Sequence, residues 1–151
     1  MRFMMLLKSD ATAEAGVMPD EALLVAMGNY NQELVKAGAL ITGDGLQPSS
    51  KGARIRFAGG KPTVIDGPFP ETNQLIAGYW MIEVASKEEA IEWASRVPFS
   101  VEGPSAMSGG NGEIEIRQVF EAEDFAAEGF ESDEARAVLE AEQRHRKGTS
   151  G

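Results

Sequence analysis

The amino-acid sequence predicts an α+β fold of ferredoxin-like type, and three patterns carry the prediction. Residues 3–7 and 75–84 are apolar at both strand parities, as central strands are when both their faces are covered. Two segments, 20–37 and 86–97, carry apolar stripes at helical spacing. Between them, Gly59-Gly60 divides two stretches into a hairpin. The resulting order, β-α-β-β-α-β with the hairpin inserted at its centre, packs two helices on one face of an antiparallel sheet.

In the first strand Phe3, Met5 and Leu7 point one way, and Met4 and Leu6 the other. Residues 9–18 read as a loop, after which Pro19-Asp20-Glu21 supplies the proline and acids suited to a first helical turn. Leu23, Met27, Tyr30 and Leu34 then form one stripe, which Ala37-Gly38 stops. Residues 39–42 read as a short strand and 43–50 as a loop of turn formers.

In the hairpin, a turn at Gly59-Gly60 sets Phe57 against Pro62, Ile55 against Val64 and Ala53 against Asp66. Asp66 then shares the apolar face at the expected core's edge, with Arg54 and Arg56 opposite. In the next strand Tyr79 and Met81 oppose Trp80, Ile82 and Val84. Ser86-Lys87-Glu88-Glu89 fits a capping box, Ala90, Trp93, Ala94 and Val97 make the buried stripe, and Pro98 ends the helix. Residues 99–112 read as a loop. In 113–120 Ile114, Ile116 and Phe120 oppose Glu113, Glu115 and Arg117. Ser132 is placed to cap a last helix reaching about Arg146.

Two helices cover only one face of such a sheet. The expected cover for the other is a second copy, in a two-fold homodimer packing sheet against sheet. The alternative cover is the C-terminal tail, with Phe125 and Phe130 as anchors.

Composition narrows the functional classes. The chain has 24 acids against 14 Lys and Arg, a net charge of −10, so neither nucleic acid nor an anionic membrane is expected as a partner. Residues 121–147 hold nine acids and four bases, half of that net charge. With no cysteine and one histidine, His145 in the charged tail, no metal or cofactor is expected. Glycine-rich 108–112 lacks the Gly-Lys-Ser/Thr end of a phosphate loop and reads as a linker. The apolar start is too short for a signal peptide, and no apolar run reaches the ~18 residues of a membrane span, so a cytoplasmic protein is expected.

Asp66-Gly67-Pro68-Phe69 is the signature of the DGPF-domain proteins of the YCII-related family, and segments 28–38, 43–48, 78–84, 89–94 and 113–117 resemble that family too. The resemblance covers residues 1–124, leaving 125–151 as an acidic, partly helical tail, and implies a dimeric α+β barrel. On function it implies two classes. Some related proteins look like cofactor-free lyases using a His-Asp pair, while DGPF proteins also occur beside or fused to extracytoplasmic-function sigma factors. This chain departs from the enzyme pattern, since His145 lies beyond the resemblance, and Asn73-Gln74 stand where Lys-Glu is usual.

The candidate catalytic residues are Asp66 as general base or ligand anchor, Glu71 as its acid partner and Arg117 as an anion-binding group. Each has a structural alternative: Asp66 capping its own turn, Glu71 as a purely structural residue, and Arg117 pairing with Glu115, Glu83 or a carboxylate across the interface. The expected function is cofactor-free proton transfer of lyase or isomerase type on an unidentified small molecule, in a pocket near the Asp66 turn. The alternative is a non-catalytic dimeric ligand-binding or regulatory module.

Overall fold

A computed structural model describes residues 1–99, 111–130 and 132–149 of the chain. Its elements run β1 (Arg2–Lys8), α1 (Ala11–Glu14), α2 (Glu21–Lys36), β2 (Leu40–Gly45), β3 (Ala53–Ala58), β4 (Lys61–Asp66), β5 (Ile76–Glu83), α3 (Lys87–Ser95), β6 (Ile114–Gln118), α4 (Ala122–Ala126) and α5 (Asp133–Thr149). Of the loop expected over 99–112, residues 100–110 lie outside the described residues.

Alternation decides how the sheet is used. Phe3, Met5 and Leu7 of β1 are buried, and so are Trp80 and Ile82 of β5, which pair with Met5 and Phe3. With Tyr30 and Leu34 of α2 and Ala90 and Trp93 of α3 they form one core. The strands run antiparallel in the order β2-β5-β1-β6, the arrangement of a ferredoxin-like α+β fold. The opposite parity, Met4 and Leu6 of β1 with Tyr79 and Met81 of β5, is half-buried and lies outside that core.

The helices start where their caps allow. The Asp20 carboxylate accepts from the Leu23 N–H at 2.9 Å, and Gly38 takes a φ of 69° just past the end of α2. At α3 the Ser86 hydroxyl accepts from the Glu89 N–H, but Glu89 reaches back to the N–H of Ala85 rather than that of Ser86. The loop expected at 9–18 contains α1, one short turn capped by Asp10, whose carboxylate accepts from the Ala13 N–H. With no apolar period, four residues leave no helical pattern to read.

The hairpin keeps the expected register, with Ala53 opposite Asp66, Ile55 opposite Val64 and Phe57 opposite Pro62, and with Gly59 and Gly60 at φ 59° and 80°. Its apolar face is not a core edge, however. β3 and β4 form a separate two-stranded sheet, so among the described residues Ile55, Phe57 and Val64 meet no second layer, and they are 52%, 70% and 63% exposed. At the C-terminus, the Ser132 hydroxyl accepts from the Ala135 N–H at the start of α5. Glu121, at the start of α4, holds Arg2 at 2.7 Å and Arg146 of α5 at 3.8 Å. Among the described residues no helix is long and apolar enough to cross a membrane.

Tyr30 joins the two helices to the sheet. Its hydroxyl donates to the Trp93 carbonyl at 2.9 Å, and its ring meets Trp80 and Trp93 edge-on at 5.7 and 6.3 Å. Burial pushes its phenol up to about 12 from an ordinary 10.0, although Arg96 works in the opposite direction. The folded protein thus keeps this proton where the unfolded chain releases it. Stability is complete below about pH 10 and falls as pH rises towards 12. Tyr30→Phe should lose about 1–2 kcal/mol at neutral pH and show a shallower alkaline decline. Denaturant melts from pH 8 to 12 would measure both.

Candidate functional site

The stretch after β4 is a latch. The Gly67–Pro68 peptide is cis, and the Gly67 N–H donates to the Gly52 carbonyl at 3.0 Å. A Cβ on Gly67 would fall 1.7 Å from the Ser49 carbonyl oxygen, so only glycine fits this approach. The next link is the Phe69 N–H, which donates to the Ser49 hydroxyl oxygen at 3.0 Å. Ser49 in turn donates its own N–H, at 3.1 Å, and its hydroxyl to the Glu14 carboxylate. A chain of hydrogen bonds therefore runs from the turn through the 49–51 segment to α1. Its outer side is closed by the Arg54 guanidinium, 3.9 Å over the Phe69 ring.

The three residues singled out from the sequence have separate surroundings. The Asp66 carboxylate is exposed and takes no hydrogen bond from the described residues, so the expected capping of its own turn is not formed. Glu71 is paired with Arg54 at 3.3 Å. Arg117 lies on the half-buried face of the main sheet, opposite Met4 of β1, and bonds to Glu115 at 3.3 Å. That bond, followed by the charge of Lys8 3.5 Å away, holds the Glu115 carboxyl below its usual range. No hydrogen bond or ion pair joins any two of Asp66, Glu71 and Arg117.

An open space borders the latch at Glu14 and Ser50. A cleft of about 740 Å³ opens between α2, residues 13–19 and the strand and loop at 43–51. Leu7, Leu23, Met27 and Trp80 give it apolar walls, and Glu14 and Lys51 stand among its polar lining. None of Asp66, Glu71 and Arg117 lines it. The Trp80 indole N–H donates to the Asn31 side-chain oxygen at 2.9 Å, which fixes the amide so that its N–H₂ keeps its donors.

Glycines make this space. Gly43 and Gly45 lie on the Trp80 face of β2, paired with Trp80 and Gly78 of β5. A Cβ on Gly43 would press on the Trp80 ring at 3.0 Å, and one on Gly78 on the Asp44 carbonyl at 3.0 Å. Gly45 differs, because a Cβ there would meet nothing within 4 Å and its φ is ordinary. Gly45 is the last residue of β2, and without a side chain it leaves the end of the strand open beside the cleft.

Sequence reasoning placed 43–50 in a loop and missed Glu14, Ser49 and the cleft. The usable signal was Gly43-Asp44-Gly45, two glycines at the same strand parity. Glu14 had no signal, since its role depends on contacts 35 residues away. His145 lies exposed on α5. Among the described residues no group of His, Asp and Glu is gathered to hold a metal ion.

The family model for the YCII-related domain matches residues 1–123. An uncharacterized protein of Rhizobium meliloti (strain 1021) is 33% identical over 75 residues, an alignment that spans 50% of this chain and 60% of that protein.

The latch yields a pair of stability predictions. Ser49→Ala, which removes the acceptor of the Phe69 N–H and a donor to Glu14, should cost about 1–2 kcal/mol. Gly67→Ala should cost about 3 kcal/mol or more, because backbone must move to admit the methyl. Urea melts give both values, and equal effects from the two would show that the approach at Gly67 relaxes freely.

Proposed function

Because the chain belongs to the YCII-related family, we propose that it binds a small organic molecule in the cleft beside Trp80, and does so as a homodimer whose second copy covers the half-buried sheet face. The observation that carries the binding site is Gly45, open on the cleft side with nothing else requiring a glycine. The walls suit a mainly apolar body. The Asn31 amide N–H₂ and the Lys51 ammonium offer donors to hydrogen-bond acceptors on the ligand.

Binding is favoured over proton transfer by Asp66, Glu71 and Arg117. Glu71 and Arg117 are engaged by Arg54 and Glu115, and no member of the trio faces the cleft. On this reading the turn at 66–69 supports the site from behind. The Met4, Leu6, Tyr79 and Met81 face, half-buried and outside the core, supports the homodimer.

Thermal-shift screening against metabolite pools tests the binding site, with Gly45→Leu as the blocking variant. A ligand at about 100 times its Kd should add about 2.7 kcal/mol to the wild type. Gly45→Leu should keep the wild-type circular dichroism and lose the shift. A metabolite that stabilises both proteins equally would place binding elsewhere.

A further inference from the structure

One wall of the cleft is bonded to the rest of the chain at a single place. Residues 13–19 line it, and they belong to a stretch, 10–19, in which no side chain is buried. At its start the Ser9 N–H donates to the Leu75 carbonyl at 2.9 Å, and at its end Asp20 caps α2. Among the described residues, the hydrogen bonds of 10–19 are all local to α1 and the turn after it, with one exception. That exception is the Glu14 carboxylate, which accepts from the Ser49 N–H and hydroxyl. We infer that residues 10–19 form a flap over the cleft, opening and closing between Ser9 and Asp20 with the Glu14–Ser49 bonds as its clasp. This rests on the cleft being the ligand site proposed above and specifies how access to it is controlled.

A segment opens locally when little buried apolar surface and few bonds hold it down. Helix α1 has no buried residue and contributes nothing to the core. After it Gly16 turns the chain at φ 80°, a conformation that glycine adopts at little cost. Val17 and Met18 follow, bordering the cleft while 41% and 77% exposed. An apolar ligand body in the cleft gives them something to pack against, so occupancy favours the closed flap. The clasp is also held from its far side. The Phe69 N–H donates to the Ser49 hydroxyl oxygen, which leaves the hydroxyl proton for Glu14. The turn at 66–69 thus acts on access to a cleft that it does not line.

Hydrogen exchange of the full chain, read by mass spectrometry, tests the flap without a ligand. The amides of 13–17 are all bonded within α1 and its turn, yet in the wild type they should exchange at least about tenfold faster than those of α2. Glu14→Ala should speed them about tenfold again and leave β1 and β5 within about twofold. A second reading uses Trp80, which lines the cleft and is one of two tryptophans. In a Trp93→Phe background, Glu14→Ala should raise acrylamide quenching of Trp80 about twofold. Exchange at 13–17 as slow as in α2, or an acceleration that β1 and β5 share equally, overturns the flap. Unchanged quenching of Trp80 overturns it too. Neither reading uses a ligand, so the flap can fail while the thermal-shift screen still finds a binder, and the two failures are told apart.

Discussion

Strands β1 and β5 are apolar on both faces, and that constraint runs through the rest of the structure. Backbone pairing satisfies their polar groups but covers neither face. On one side α2 and α3 bury Phe3, Met5, Trp80 and Ile82, and Tyr30 ties both helices to that layer. On the other side Met4, Leu6, Tyr79 and Met81 are left at intermediate exposure. A sheet of this composition carries an unfilled requirement for a second layer. The homodimer proposed above would supply that layer.

The Asp66-Gly67-Pro68-Phe69 turn changes meaning once its contacts are known. Read as sequence, an acid followed by a rigid turn and an aromatic suggests a reactive carboxylate. In the folded chain, the glycine and the aromatic make the attachments. Gly67 admits the Ser49 carbonyl, Phe69 binds the Ser49 hydroxyl, and Ser49 passes the connection to Glu14. Segment 49–51 and α1 border the cleft, so the motif acts through them. Asp66 stands aside from this chain of bonds, on the exposed apolar face of the hairpin.

Much of the fold was legible because its signals are local. The Ser86 cap, the Leu23-to-Leu34 stripe and the Gly59-Gly60 turn each depend on residues close in sequence, and the hairpin register follows from its turn. The site was less legible. The cleft depends on missing side chains at Gly43 and Gly45, which resemble turn residues until β2 is paired with β5. Alternation in the hairpin correctly put Ile55, Phe57 and Val64 on one face, but it said nothing about what that face meets.

By itself the sequence determined the order of the main strands and helices, the faces of the two main helices and the hairpin register, because turns, caps and periodicity act over a few residues. Tertiary structure alone decided which apolar face became core, that Gly67 is pressed against Ser49, and that Glu71 is occupied by Arg54. Those outcomes depend on distances between segments far apart in the chain. Burial, close approach and ion pairing exist only once those segments have been brought together.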